Sequence, residues 1–215
     1  MTRTVVHLLR HGEVHNPGGV LYGRLPGFQL SGRGVAMAER VAGVLAERDI
    51  ARVVTSPLER ARQTAAPLAT TLGLAVAVDE RIIEADNVFV GKTFGVGDGS
   101  LRRPSFWWHL RNPWRPSWGE PYAVLAERML AAMADAVSSA PGREVVLVSH
   151  QLPIWVARCS VERRRLWHNP RQRQCSLASL TSVTFAGETP VHVAYSEPAA
   201  DLLPVPSANQ PAAGA

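Results

Sequence analysis

The sequence predicts an α/β fold, a layered domain with a mostly parallel central sheet covered by helices. Three observations predict it. Short apolar runs of strand length alternate with longer segments of helical periodicity. The joints between them carry residues suited to starting and ending helices, among them Ser31, Pro57 and Gly73. Charged or protonatable residues follow directly on three of the apolar runs, at the edge where an open parallel sheet collects its ligands.

The elements follow in order. Val5-Val6-His7-Leu8-Leu9 reads as a buried strand over 4–9. Residues 12–30 hold Gly12, Pro17, Gly18, Gly19, Gly23, Pro26 and Gly27, so they form a long loop. Ser31 is a helix N-cap, and Val35, Ala38, Val41, Ala42 and Leu45 share one helical face, with the helix ending near Asp49. A strand over 51–55 leads through Ser56-Pro57 into a helix that runs to Leu72, with Gly73 as its cap. A short strand occupies 75–78. Residues 86–119 are an excursion from the core, placed to cover a pocket and helical around 105–111. Residues 120–139 form an amphipathic helix with Val124, Leu125, Met129, Ala132, Met133 and Ala136 on its apolar face. A buried strand over 144–148 ends at Ser149-His150, and a helix follows to about Arg163. Segments 176–185 and 190–196 alternate as a strand hairpin. The domain is expected to span 1–197, and the Pro- and Ala-rich 198–215 to be a disordered tail.

At 215 residues and 46% apolar composition, the chain suits one domain with a full core. No apolar run reaches membrane-spanning length, and the N-terminus does not resemble a signal peptide, so a cytoplasmic protein is expected. The net charge of +5 suits anionic partners, and Lys92 is the sole lysine, so arginine carries that charge. Cys159 and Cys175 are too few for a disulfide framework and fit no zinc spacing even with His168, so two reduced thiols are expected.

The strand pattern alone sends Arg10-His11, Arg60 and His150 to the same sheet edge. Two arginines and two histidines there make a site for a tetrahedral dianion. Arg10 and Arg60 can hold phosphoryl oxygens bidentately. Asn16 and His150 can add hydrogen bonds. His11 can attack phosphorus as a neutral imidazole, a form that the flanking arginines favour. Glu84, apolar-flanked just past the third strand, is the candidate general acid and then base; Asp86 is the other nearby carboxylate. Tyr22 and Arg24, in the first loop, either touch substrate or decorate the loop. Arg62 reads as a solvated helix residue. Four tryptophans lie among arginines and prolines in 101–118. That stretch suits core cover, an anionic aromatic substrate or single-stranded nucleic acid, and its tryptophans suit a pocket roof or a dimer patch.

In order along the chain, these residues resemble the histidine phosphatase superfamily, also called phosphoglycerate-mutase-like. Its strand–Arg-His-Gly motif is matched by Leu9-Arg10-His11-Gly12-Glu13, and its downstream Asn by Asn16. Leu30-Ser31-Gly32-Arg33-Gly34 resembles its Leu-Ser/Thr-x-x-Gly helix start. Ser56-Pro57-Leu58-Glu59-Arg60-Ala61-Arg62-Gln63-Thr64-Ala65 resembles its Ser-Pro-x-x-Arg segment. Ile82-Ile83-Glu84 resembles its acid segment, and Val148-Ser149-His150 its strand–Ser/Thr-His motif.

The resemblance implies a three-layer α/β/α sandwich. It also implies a phosphatase acting on small-molecule phosphate monoesters through phospho-His11, with no metal or other cofactor. Membrane and nucleic-acid partners are not expected, and a homodimer is left open. The other readings are a phosphoglycerate mutase and a non-enzymatic protein binding a phosphorylated ligand or nucleic acid. Ala85-Asp86-Asn87-Val88 replaces the mutase-like Arg-His-Tyr-Gly continuation, and the spacing from His11 to Asn16 is one residue short for a mutase. The missing mutase-like continuation favours the phosphatase, while Val90-Gly91 stands where a phosphatase-like Glu-Gly pair is expected.

Overall fold

The computed structural model describes residues 2–93, Pro104 and 119–204. Six strands form one sheet: β1 (Arg3–Arg10), β2 (Ile50–Thr55), β3 (Val76–Val78), β4 (Glu144–Ser149), β5 (Leu180–Ala186) and β6 (Thr189–Ser196). Their order across the sheet is β3-β2-β4-β1-β5-β6. The first four run parallel, and β5 and β6 close the sheet as an antiparallel pair. Among the described residues, four α-helices cover it: α1 (Gly32–Leu45), α2 (Glu59–Leu72), α3 (Tyr122–Ser139) and α4 (Gln151–Val161).

The central strands are apolar on both faces because both faces are covered. Successive side chains point to opposite sides of a strand. Val145 and Leu147 of β4 accordingly join the core under α3 and α4, while Val146 and Val148 join the core under α1 and α2. The result is the expected three-layer arrangement.

Several boundaries differ from the sequence expectation, each for a local reason. α1 stops at Leu45, short of Asp49. Arg48 turns away to bind the Glu144 carboxylate with two hydrogen bonds, and Asp49 takes Arg143. α2 starts at Glu59, after Pro57, and the Ser56 hydroxyl is committed to His150. Val35 and Val124 sit in the first turns of α1 and α3 and are 43% and 49% exposed, so they leave the apolar faces assigned to them. Residues 199–203, expected to lie in the tail, are part of the packed structure. Ala199 is buried, a 3-10 turn spans Ala200–Leu202, and Asp201 pairs with Arg40 of α1. Leu202 and Leu203 anchor this segment against the α1 side of the core, which composition averaged over 198–215 concealed.

The excursion leaves and returns at one point. Asn87 and Gly119 form an antiparallel bridge, and the Glu120 amide donates to the Asp86 carbonyl at 3.1 Å. The expected helix around 105–111 lies outside the described residues. Among the described residues, no helix is long and apolar enough to cross a membrane.

Candidate active site

Three adjacent parallel strands, β2, β4 and β1, end at one edge. Arg10 pairs in register with Ser149, and Thr55 with Val148. The residues that follow, His11, Ser56 and His150, therefore emerge side by side. Backbone bonds hold the cluster: the His11 amide donates to the Ser149 carbonyl and the Ser56 amide to the Val148 carbonyl.

His11 is fully buried, with its ring oriented by its own turn. Nδ1 lies 2.8 Å from the Gly12 carbonyl oxygen. A carbonyl only accepts, so Nδ1 carries the proton and Nε2 carries the lone pair. Burial, then the charges of Arg60 and Arg10, hold its pKa well below the ordinary histidine value, so the ring is neutral at neutral pH. The turn itself is held from α2: the Gly12 amide donates to the Thr64 hydroxyl, which donates to the Arg60 carbonyl.

Gly12 is sterically required. A Cβ there would meet the Gly34 carbonyl oxygen at 2.6 Å, and a Cβ on Gly34 would meet the Glu13 carbonyl oxygen at 2.0 Å. The turn after β1 and the first turn of α1 thus pack backbone to backbone.

The His150 ring lies 5.2 Å from that of His11, centroid to centroid. Its Nε2 is 2.8 Å from the Ser56 hydroxyl, while Nδ1 is buried with no partner among the described residues. Burial and the positive charges around it keep this ring neutral too. Arg10 and Arg60 are both buried, and both act electrostatically on the two histidines. Arg10 donates to the Cys175 carbonyl and Arg60 to the Gly23 carbonyl, each at 2.6 Å. Nε of Arg60 has no partner among the described residues. The Tyr22 ring packs on the Arg60 guanidinium at 4.7 Å and approaches the His11 ring edge-on at 6.4 Å. Burying several polar donors without partners is costly. An anion that accepts from them offsets that cost.

Glu84 is 4% exposed and stands where Arg60, Arg10 and Arg173 all act on it. Burial pushes its pKa above the usual carboxylate range, against the opposing effects of the Ala85 amide and those arginines. Its segment is clamped from three sides. The Ser149 hydroxyl donates to the Ile82 carbonyl at 2.7 Å. Arg24 Nε donates to the Glu84 carbonyl at 2.7 Å, and Arg128 reaches both the Arg81 and Glu84 carbonyls. Glu120 gathers Arg24 and Arg128 by ion pairs. A cleft opens beside Glu84, with Tyr122, Leu152, Asp86 and Gly23 in its walls.

The structure thus brings Arg10, His11, Arg60, His150, Glu84 and Tyr22 together. Asn16 and Arg24 have other partners. Asn16 closes its own loop, donating to the Val20 carbonyl and accepting from the Val20 amide. Arg24 braces the Glu84 backbone, and Arg62 is exposed as expected. Arg173 and Ser56 were not singled out by sequence reasoning. A signal for Arg173 was present: β5 runs antiparallel, so the segment leading into it lies at the edge where its parallel neighbours end, with Leu180 opposite Leu9.

The geometry agrees with comparisons to known proteins. The description "histidine phosphatase superfamily (branch 1)" matches residues 6–198. The chain belongs to the histidine phosphatase superfamily. An uncharacterised protein of Mycobacterium tuberculosis is 55% identical over 92% of this chain and 98% of its own length. Glucosyl-3-phosphoglycerate phosphatase of the same organism is 33% identical over 66% of this chain and 68% of its own. A structure of mycobacterial glucosyl-3-phosphoglycerate phosphatase with VO3 matches with a TM-score of 0.70 and 28% identity, over 91% of this chain and 97% of that one. These superfamily relatives support a phosphatase activity in general.

Proposed function

We propose that this protein hydrolyses small-molecule phosphate monoesters through a phosphohistidine on His11. The observation that carries this reading is the orientation of the His11 ring. Its proton is fixed on Nδ1 by the Gly12 carbonyl, so Nε2 holds a lone pair amid two arginines and a second neutral histidine. That is an activated nucleophile in a cationic cradle.

The steps follow from the side chains. Arg10 and Arg60 draw in the phosphoryl dianion and balance its charge. His150 Nε2 pairs with the Ser56 hydroxyl; with that hydroxyl donating, the His150 proton sits on Nδ1, a buried donor for a phosphoryl oxygen. His11 Nε2 attacks phosphorus as the ester bond breaks. Glu84, whose pKa burial raises, gives its proton to the leaving alkoxide when in its acid form. The resulting carboxylate takes a proton from water, which attacks phospho-His11, releasing phosphate and restoring both groups. The positive charge that the transition state requires is arginine charge, so turnover is expected to persist in chelator.

Rapid quenching with a ³²P-labelled ester tests this. The expected product is an acid-labile, base-stable label on His11 that decays with phosphate release. Normal turnover by His11→Ala overturns the reading. Interconversion of 3- and 2-phosphoglycerate without phosphate release would assign a mutase instead.

A further inference from the structure

One charged group near Glu84 has no part in the proposed phosphoryl chemistry. Arg173 lies in the segment between α4 and β5, and its charge acts on Glu84, Arg10 and Tyr122. Its guanidinium is held by neighbouring side chains, Tyr122 among them. Nε donates to His168 Nε2 at 2.8 Å, and one terminal nitrogen is 3.5 Å from Gln151 Oε1. Gln151 in turn donates to the Cys175 carbonyl, the same oxygen that takes Arg10. Arg10 and Arg173 are thus tied to one short stretch of backbone.

His168 is built to orient Arg173. Its Nδ1 is 2.6 Å from the Leu166 carbonyl, an acceptor, so Nε2 is the bare nitrogen facing the guanidinium. Its ring sits between Tyr122 and Trp155, 5.4 Å and 5.8 Å away. Burial and the Arg173 charge press its pKa down to about 4, so it stays a neutral acceptor at neutral pH.

Among the described residues Arg173 makes no ion pair, and Asp86, a further carboxylate of the cleft wall, is exposed. A phosphoryl dianion matches Arg10 and Arg60. Glu84 is protonated when it acts as acid, and Glu120 is paired with Arg24 and Arg128. Tyr122, beside Arg173, forms part of the wall of the cleft at Glu84, where the leaving alcohol must sit to receive its proton.

We propose that Arg173, positioned by His168, is a specificity-determining residue that binds a second anionic group carried by the leaving alcohol. The preferred esters then bear a carboxylate or second phosphate besides the phosphoryl group that is transferred. This rests on the phosphatase reading above, and its test separates the two. Two ester pairs differ only in that group: 3-phosphonooxypropanoate against propyl phosphate, and propane-1,3-diyl bisphosphate against 3-hydroxypropyl phosphate. The ratio of kcat/KM within each pair is measured for the wild type, Arg173→Gln and Arg173→Lys.

Arg173→Gln is expected to lower the ratio in one pair roughly tenfold to hundredfold, the worth of one charge-assisted hydrogen bond. Arg173→Lys should keep part of the preference. The pair that responds identifies carboxylate or phosphate. His168→Leu should lower the same ratio through KM, and His168→Gln, which can still accept from Nε, should restore it. Equal losses on both members of each pair, or no change at all, overturn the proposal. Dissociation constants for the same pairs on His11→Ala, with and without Arg173→Gln, read the preference without turnover. Absence of hydrolysis by the wild type would therefore sink the phosphatase reading, while an unchanged binding ratio would sink this inference.

Discussion

Replacing Gly34 with alanine sets two effects of opposite sign against each other. Gly34 lies in the first turn of α1, where alanine is favoured over glycine by about 1 kcal/mol of helix propensity. The new Cβ would sit 2.0 Å from the Glu13 carbonyl oxygen, 2.9 Å from its carbonyl carbon and 3.0 Å from the Glu13 nitrogen. The obstacle is backbone, so no side chain can swing aside. The Glu13 carbonyl also accepts from the Ser31 amide, and the Glu13 carboxylate accepts from the Ser31 hydroxyl. Ser31 is the N-cap of α1, with its hydroxyl taking the Gly34 amide.

Overpacking costs about 1–3 kcal/mol, and a disturbed N-cap about another 1. The clash wins, and the net loss is about 2 kcal/mol, a fall in Tm of roughly 4–8 °C for a domain this size. Glu13 is two residues from His11, so a shift approaching 1 Å should also lower kcat/KM by around 10²-fold. Gly43→Ala is the internal control. It lies in the same helix, is exposed, and its added Cβ would have nothing within 4 Å. It should raise stability by about 0.5–1 kcal/mol. Thermal melts and kinetics of both variants decide the matter. A Gly34→Ala protein that melts with or above wild type refutes the close-packing argument.

Glu84→Gln is expected to lower kcat on alkyl phosphates by about 10²–10⁴-fold and far less on p-nitrophenyl phosphate, whose anion leaves without a proton; equal losses on both would remove Glu84 as the acid. Stability should also fall as pH drops. His7, His11, His150 and the half-buried His168 have pKa values that burial holds below the ordinary 6.5, so the unfolded chain binds their protons first, and their stabilising effect, full above pH 6.5, is lost as pH falls towards their folded values. Glu84 is shifted upward and opposes them in part, so the slope below 6.5 stays under about 5.4 kcal/mol per pH unit, the value for four protons. Urea midpoints at pH 7.5, 6.5 and 5.5 measure this, and a flat series would contradict it.

Much of the fold was legible because periodicity is local information. The continuous apolar run of β4 and the apolar stripe of α3 were readable from residues within a few positions of one another. The placing of Arg10, His11, Arg60 and His150 at one edge followed from a general property of parallel strands, whose C-terminal ends share a side. Arg173 escaped because that property was applied to the parallel strands alone, and the segment feeding an antiparallel strand reaches the same edge. Asn16 and Arg24 were candidates as polar groups in the first loop. Their actual partners, Val20 and the Glu84 carbonyl, depend on how the loop folds back. The boundary at 197 missed Ala199–Leu203 because the contacts of that segment lie on α1.

By itself the sequence determined the layered α/β sheet, the order of the helices and strands, and the edge where charged residues converge. Only the tertiary structure decided which His11 nitrogen bears the proton, how far burial perturbs His11, His150 and Glu84, and how His168 orients Arg173. The physical reason is range. A hydrophobic period is set by neighbours three or four residues away, whereas a protonation state is set by burial and by charges brought together from distant parts of the chain. His11, Arg60, Glu84 and Arg173 come from four such parts, and their chemistry exists only once the sheet has brought them together.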